Sequence, residues 1–185
     1  MAKEKKPAGR SRRKAPKTPP KGSRRPPVRR PKVGDTIETM TARQMKKTSR
    51  DDCTIDPSDL RFTDMHEWVR IKDRNTIVVG ITDFAQTRLS DITSVELPEP
   101  DEHHYDAREE ISVIEALNTS AAFHSPVSGV IVATNTELLG RPELINMDPY
   151  GSGWLVEMRP DNMTDILSFM DVDEYEANLP EDEEE

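Results

Sequence analysis

Short runs of β-branched and aromatic residues, separated by polar turn residues, fill the chain from about residue 60 onward. Runs of this length that are bounded by Gly, Pro, Asn or Asp are typical of β-strands. Pro98 ends one of these runs, because proline cannot donate a hydrogen bond to a neighbouring strand. The pattern predicts strands at residues 67–71, 76–80, 92–97, 111–114, 129–133 and 154–158.

A few short helices accompany the predicted strands. Asp83 is a suitable N-cap for a helix that ends at Leu89, and Asp173 is a suitable N-cap for a last helix through Tyr175. Residues 161–170 have apolar side chains at helical spacing. The residues predicted to share one helical face are Met163, Ile166, Leu167 and Met170. Many short strands with few short helices indicate a small all-β sandwich or barrel.

Composition divides the chain into four segments. Residues 1–33 are rich in Pro, Lys and Arg and nearly lack large apolar side chains, so we predict that they are disordered. Residues 34–59 form a mixed linker, in which residues 39–47 can form a short helix. The folded domain is predicted at residues 60–178, and residues 179–185 form a solvated acidic tail.

The two parts of the chain carry opposite charge. Residues 1–58 contain 18 Lys and Arg against 6 Asp and Glu, a net charge of +12. Residues 59–185 contain 8 basic residues against 29 acidic ones, a net charge of −21. Such asymmetry indicates a tail with its own partner. The basic clusters at residues 10–14 and 24–30 fit a polyanion such as nucleic acid, and contact with the acidic domain is an equally good hypothesis.

Other features of the sequence argue against secretion and membrane insertion. Cys53 is the one cysteine, so an intrachain disulfide is excluded and a reducing compartment is compatible. No apolar run approaches the roughly 18 residues of a membrane span, and no secretory apolar region follows the N-terminus. We therefore expect a cytoplasmic protein. The mitochondrial matrix is a less favoured alternative, because the prolines of the basic N-terminus oppose an amphipathic helix.

Neither a catalytic centre nor a metal site is predicted. The chain contains no Gly-x-Ser-x-Gly elbow and no Gly-rich phosphate loop. A zinc site needs three or four converging ligands, whereas the histidines are scattered and lack cysteine support. The four histidines are His66, His103, His104 and His124. We expect a protein that is not an enzyme.

Several co-linear segments carry motifs of a known family. They are residues 62–69, 79–86, 89–99, 115–129, 142–146 and 148–155. On these segments the chain resembles the glycine cleavage system H protein, and the resemblance covers about residues 60 to 178. It implies a flattened β-sandwich of the biotinyl/lipoyl type (the barrel-sandwich hybrid), with short peripheral helices and a modified lysine at an exposed hairpin tip. In His66-Glu67-Trp68, a signature of this family, we expect the histidine to form local hydrogen bonds.

The resemblance places Asn118 at the position of the lipoyl lysine. Counting back from Pro126-Val127-Ser128-Gly129 gives this alignment, and Glu115 then precedes the site by three residues as the family's recognition glutamate does. A lipoyl amide forms when an amine attacks an activated carboxyl group. The carboxamide nitrogen of asparagine has its lone pair delocalised into the carbonyl, so we predict that no lipoate is attached. The family's glycine-bearing turn is also replaced, at residues 101–110, by a segment without glycine.

Three functional hypotheses follow. The first is a non-catalytic binding or regulatory module in glycine cleavage, whose partners would be the P, T and L proteins or the lipoylating enzyme. The second is a genuine aminomethyl carrier lipoylated at an atypical lysine. Lys72, the last lysine of the chain, lies in a polar turn and is the most plausible such site. The third is a polyanion-associated protein that uses its basic tail.

Overall fold

The computed structural model describes residues 36–41, 55, 57–100 and 103–180. Within these ranges the predicted all-β fold is confirmed. The strands are β1 (Leu60–Phe62), β2 (Glu67–Ile71), β3 (Ile77–Ile81), β4 (Ile92–Val95), β5 (His104–Tyr105), β6 (Glu110–Ala116), β7 (Ser120–His124), β8 (Gly129–Thr134) and β9 (Val156–Pro160).

The strands form two antiparallel sheets. The larger sheet has the order β1-β2-β3-β9-β8-β5, and the smaller has the order β4-β6-β7. Short α-helices lie at Asp83–Leu89, Leu144–Met147 and Val172–Asn178. Turns of 3-10 helix lie at Pro57–Asp59, Thr136–Leu139 and Met163–Ser168, and residues 37–41 are helical.

The main core lies between the two sheets. Val69 and Val79 from the larger sheet and Ile114 and Phe123 from the smaller one are all almost completely buried there. Strand β3 is buried along its whole length, which explains its unbroken apolar run, since a strand covered on both faces has no need for alternation.

A second apolar cluster covers the outer face of β2 and β3. It consists of Leu60, Phe62, Trp68, Val78 and Tyr175, the last of which is contributed by the helix Val172–Asn178. The Phe62 and Tyr175 rings stack, with 4.6 Å between their centroids. The domain therefore has apolar packing on both sides of its central strands.

Glycine at position 80 is required by the close approach of Trp68. A Cβ atom at residue 80 would lie 2.7 Å from the Trp68 ring. The indole nitrogen of Trp68 donates a hydrogen bond of 2.9 Å to the carbonyl oxygen of Pro149. The tryptophan of the His-Glu-Trp signature thus joins β2 to the loop that precedes β9.

Two predicted helix caps were wrong by one or two residues. Thr82, and not Asp83, caps the helix Asp83–Leu89, because the Thr82 hydroxyl accepts a hydrogen bond from the backbone of Ala85. Asp171, and not Asp173, caps the helix Val172–Asn178, where its carboxylate accepts the Glu174 backbone N–H.

The predicted amphipathic helix at residues 161–170 was wrong in type and length. The structure has a six-residue 3-10 helix, Met163–Ser168, capped by Asn162. Ile166 lies in the main core as expected, but Met170 packs against the second cluster instead. Met170 leaves the helix because its backbone exchanges two hydrogen bonds with Phe62, of 2.9 and 3.0 Å.

The remaining differences are small. The bounds of the six predicted strands shift by up to two residues. Three further strands, β1, β5 and β7, were not predicted. The helical residues 37–41 begin two residues before the predicted helix at 39–47. Several predictions concern residues outside the described ranges. They are the disorder of residues 1–33, the incidental thiol of Cys53, the end of the predicted helix at 42–47 and the acidic residues 181–185.

Candidate functional site

The candidate site is the tip of the β6–β7 hairpin. Glu115 on β6 pairs with Ser120 on β7, and the backbone N–H of Ala116 donates to the carbonyl oxygen of Thr119 at 2.8 Å. Leu117 and Asn118 are therefore the two central residues of the turn between the strands, and we call them the two-residue tip. Strand β7 is at the edge of the smaller sheet, so no strand among the described residues pairs with its outer side.

Both tip side chains face solvent. Leu117 is 68% exposed, an unusual environment for a leucine. Asn118 is exposed, and its carboxamide makes no hydrogen bond within the part of the chain that the structure describes. Sequence reasoning placed Asn118 at the tip of an exposed hairpin, and the structure has it there.

The backbone of the tip is anchored although its side chains are free. The N–H of Leu117 donates to the carbonyl oxygen of Asp91 at 3.0 Å. Ser94 on β4 donates its hydroxyl to the carboxylate of Glu115, and Thr93 donates to the Glu115 backbone carbonyl. In the structure Glu115, for which the resemblance predicts a recognition role, connects β4 to β6.

Asn146 extends this anchoring to two helices. Its side-chain oxygen accepts the Ile92 backbone N–H at 3.0 Å. Its amide nitrogen donates to Gln86 at 2.7 Å and to the carbonyl oxygen of Ser90 at 2.8 Å. Sequence reasoning placed Asn146 in a segment that resembles the family but assigned it no role. The only sequence feature that pointed to Asn146 was its position directly after the apolar pair Leu144-Ile145.

Exposed apolar residues occur on the elements around β4. Met147 is 72% exposed and Leu139 is 64% exposed, close to the value for Leu117. The 3-10 helix Thr136–Leu139 packs against β4, and the helix Leu144–Met147 packs against the helix Asp83–Leu89. Exposed apolar groups of this kind mark interaction surfaces when they cluster.

The glycine-free turn before β6 uses arginine in a glycine-like conformation. Arg108 has a φ of 70°, in the left-handed region that ordinarily favours glycine. Its backbone N–H donates to the carbonyl oxygen of Ser125 at 2.7 Å, and its guanidinium binds both Asp64 carboxylate oxygens at 2.8 and 3.1 Å. These contacts hold the turn, and the ion pair raises the pKa of Arg108. Residues 101 and 102 of this segment lie outside the described residues.

The His-Glu-Trp signature contributes a hydrogen-bonded group behind the second cluster. The Tyr175 hydroxyl bonds to the Nδ1 atom of His66 and to the hydroxyl of Thr82, each at 2.8 Å. His66 thus forms a hydrogen bond, but the prediction of a local bond was wrong, because the partner is 109 residues away in sequence. Burial lowers the pKa of His66 and raises the pKa of Tyr175 to about 12. Burial also raises the pKa of Glu67, which accepts a hydrogen bond from Thr63.

The other residues considered from the sequence do not converge on the hairpin tip. Lys72 lies in the β2–β3 turn, where its ammonium group bonds to both carboxylate oxygens of Glu157 at 2.6 and 2.7 Å. His104 bonds to Asp161 at 2.7 Å, which raises its pKa. Across residues 36–41, 55, 57–100 and 103–180, no three His, Cys, Asp or Glu side chains form a group that could hold a metal ion.

None of the helices in the described ranges is long and apolar enough to cross a membrane.

The fold and the hairpin define a lipoyl-type β-sandwich domain, a class that presents its cargo residue on an exposed turn. Residues 60–182 match the family model of the Glycine cleavage H-protein, and the chain belongs to this family. Members of the family are lipoyl carriers that are not themselves catalytic, in agreement with the expectation that the protein is not an enzyme.

Individual relatives lead to the same assignment. The glycine cleavage system H protein of Alkalilimnicola ehrlichii is 41% identical over 128 residues, which are 69% of this chain and 97% of that protein. The H protein of Psychrobacter cryohalolentis is 44% identical over 123 residues, 66% of this chain and 97% of that one. The crystal structure of the Mycobacterium marinum H protein aligns with a TM-score of 0.59 at 32% identity, covering 66% of this chain and 97% of that chain.

Proposed function

We propose that this protein is a glycine cleavage H-protein-like binding module that has lost lipoylation. Asn118 occupies the position of the lipoyl lysine in this proposal. The observation that carries it is the presence of a carboxamide at the exposed tip of an intact, well-anchored hairpin. The scaffold that presents cargo is kept, and the nucleophile that would bind cargo is absent.

The chemistry of the tip supports the loss of the carrier step. Lipoate is attached through an amide bond, and among common side chains lysine supplies the amine for such bonds. The sequence contains no lysine after Lys72, so β4, β6 and β7 carry no alternative amine. The absence of attached lipoate in this protein is therefore part of the proposal.

Several features support retained docking to partners of the family. The backbone of the tip is fixed by Asp91, and Glu115 is held by Ser94. A rigid hairpin with an exposed leucine can be recognised without any modification. The candidate partners are the P, T and L proteins of glycine cleavage and the lipoylating enzyme. The module would act by competing with a lipoylated H protein, in the cytoplasm.

A reconstituted glycine cleavage reaction tests the regulatory role. We expect added full-length protein to slow the reaction, and excess lipoylated H protein to relieve the inhibition. Leu117→Asp should reduce the inhibition because a charge at the tip disfavours an apolar contact. Val132→Asp, which changes a 39% exposed residue on β8, is the matched control and should inhibit like the unchanged protein. Inhibition by Leu117→Asp equal to that of the unchanged protein would remove the hairpin from the docking surface.

Lipoylation at Lys72 is the alternative carrier proposal. The ammonium group of Lys72 lies 2.6 Å from the Glu157 carboxylate, and acylation would break this ion pair. The side chain is nevertheless half exposed, so an enzyme can reach it. Co-expression with a lipoylating enzyme followed by intact mass measurement separates the two proposals. We expect an unmodified mass. A lipoyl adduct that disappears in Lys72→Arg would establish the alternative.

The basic N-terminal segment provides a third proposal, independent of the hairpin. Its net positive charge suits a polyanion such as nucleic acid, or the acidic domain itself. Binding of a DNA duplex by the full chain, and by a chain without residues 1–33, should be compared across a salt series. Affinity that falls steeply with salt and depends on residues 1–33 supports nucleic-acid binding. Equal affinity of the two chains contradicts it.

A further inference from the structure

The hairpin tip contains a sequence that can accept a different modification. Asn118-Thr119-Ser120 has the pattern Asn-x-Ser, where x is not proline. This is the acceptor pattern for attachment of a sugar to the side-chain nitrogen of asparagine. The transferase needs the hydroxyl group two residues after the asparagine as well as the carboxamide. Both groups must therefore be accessible on the same short segment.

The structure presents both groups to solvent. Asn118 is in the two-residue tip, and Ser120 is the exposed first residue of β7, an edge strand. Neither side chain makes a hydrogen bond to any residue in the described ranges. A transferase can therefore approach without breaking an existing contact.

The domain contains a second match to the acceptor pattern, Asn162-Met163-Thr164, whose side chains are not available. Asn162 accepts hydrogen bonds from the backbone and hydroxyl of Thr164 at 3.1 and 2.7 Å. Its amide nitrogen donates to Asp165 at 2.7 Å. The carboxamide and the hydroxyl of this second match are thus both occupied in capping a 3-10 helix. The contrast selects Asn118 as the accessible acceptor.

We propose that Asn118 is an N-glycosylation site. The sugar donor would be a hexose activated on a nucleoside diphosphate, a class of donor that is present in the cytoplasm, where the protein is proposed to act. In the transfer, a bond forms between the Asn118 side-chain nitrogen and the anomeric carbon, and the bond from that carbon to the phosphate oxygen breaks. The phosphate leaves with the bonding electron pair, a base of the transferase takes the amide proton, and nothing is oxidised or reduced.

Attachment of a sugar at Asn118 does not conflict with the absence of lipoate. The anomeric carbon of an activated sugar is a strong electrophile, and the transferase activates the amide that it binds. This inference shares only the identity and exposure of residue 118 with the proposed function. A lipoyl adduct at Lys72 would contradict the proposed function but not this inference. Mass spectrometry distinguishes a lipoyl group from a hexose, because they differ in mass.

The protein purified from the organism that encodes it provides the decisive test. We expect peptide mass spectrometry to find hexose on Asn118 and none on Asn162. A single hexose is the expected adduct. A longer oligosaccharide, which would require a lipid-linked donor outside the cytoplasm, would contradict the inference. Unmodified Asn118 in the native protein would overturn the inference.

Variants of the full chain, produced in the same organism, define the acceptor. Modification should be lost in Asn118→Gln and in Ser120→Ala, and it should be retained in Ser120→Thr, which keeps the hydroxyl. Asn162→Gln is the matched control and should be modified to the same extent as the unchanged protein. Circular dichroism of each variant establishes that it is folded. Modification that persists in folded Ser120→Ala would contradict the proposal.

Discussion

The hairpin tip and the cluster around Tyr175 use polar groups in opposite ways. At the tip, the Asn118 carboxamide makes no hydrogen bond within the described residues. In the cluster, one hydroxyl joins His66 on the loop before β2 to Thr82 at the start of a helix, and the Tyr175 ring stacks on Phe62. The difference indicates that the side-chain contacts that stabilise this part of the fold lie away from the exposed Asn118 side chain. A change at residue 118 can therefore alter function without unfolding the domain.

Removal of Trp68 should have the largest effect on stability. Trp68 is fully buried and donates to Pro149, so Trp68→Ala should lower the free energy of unfolding by about 3–5 kcal/mol, from the cavity and the lost hydrogen bond. Urea unfolding followed by circular dichroism measures this change. Trp154→Ala is the matched control, because Trp154 is only partly buried, and it should cost less. Equal losses of unfolding free energy for the two variants would contradict the larger contribution assigned to the buried Trp68.

Removal of the Tyr175 hydroxyl should have the next largest effect. Tyr175→Phe keeps the ring stacked on Phe62 but leaves His66 and Thr82 without their shared partner, at a cost of about 1–3 kcal/mol. Tyr150→Phe removes a hydroxyl that accepts one hydrogen bond, from the Asp83 backbone. We expect Tyr150→Phe to be the milder change in urea unfolding. The reverse order would show that the bridging hydroxyl does not stabilise the domain.

Two histidines should give pH effects of opposite sign. The pKa of His66 is lowered by burial, so its contribution to stability is present above the unfolded value of about 6.5 and is lost as pH falls through the folded pKa. The pKa of His104 is raised by Asp161, so its contribution is present below about 6.5 and is lost as pH rises through the folded pKa. The test is the free energy of unfolding of His66→Gln and of His104→Gln, each compared with the unchanged protein from about pH 5 to 8. Differences with the same slope for both variants would contradict these assignments.

Removal of the Asn118 side chain beyond Cβ should have the smallest effect on stability. The carboxamide is exposed and has no partner in the described ranges, so Asn118→Ala should change the free energy of unfolding by less than about 0.5 kcal/mol. Thermal and urea unfolding provide the measurement. A loss of more than about 1 kcal/mol of unfolding free energy would show that Asn118 has a structural role, and it would contradict the view that the tip side chain does not stabilise the fold.

Much of the fold could be predicted from the sequence, because its strands are marked by runs such as Ile77–Ile81 and by flanking turns. Asn118 could be placed at an exposed tip only through the family resemblance, by counting back from Pro126-Val127-Ser128-Gly129. The caps at Thr82 and Asp171 could not be distinguished from nearby Asp residues, since each sequence offers two capping side chains within a few positions. Met170 was misplaced because its pairing with Phe62 is a long-range contact that helical spacing does not reveal.

The site was less predictable than the strands. The role of Asn146 depends on Gln86 and Ile92, which are more than 50 residues away in sequence. The left-handed conformation of Arg108 was not apparent either, because its ion pair with Asp64 and its hydrogen bond to Ser125 arise only in the folded chain. Contacts of this kind arise from tertiary structure, and local sequence patterns contain little information about them.

Lipoylation of Asn118→Lys is the most direct test of the central claim, which is that this chain is an intact carrier scaffold without an amine at its tip. The variant and the unchanged full-length protein should each be co-expressed with a lipoylating enzyme, and peptide mass spectrometry should locate any adduct. We predict lipoyl on residue 118 of the variant and none on the unchanged protein. Lipoyl attached anywhere on the unchanged protein would contradict the claim. A folded variant that stays unmodified would show that the scaffold has changed beyond residue 118.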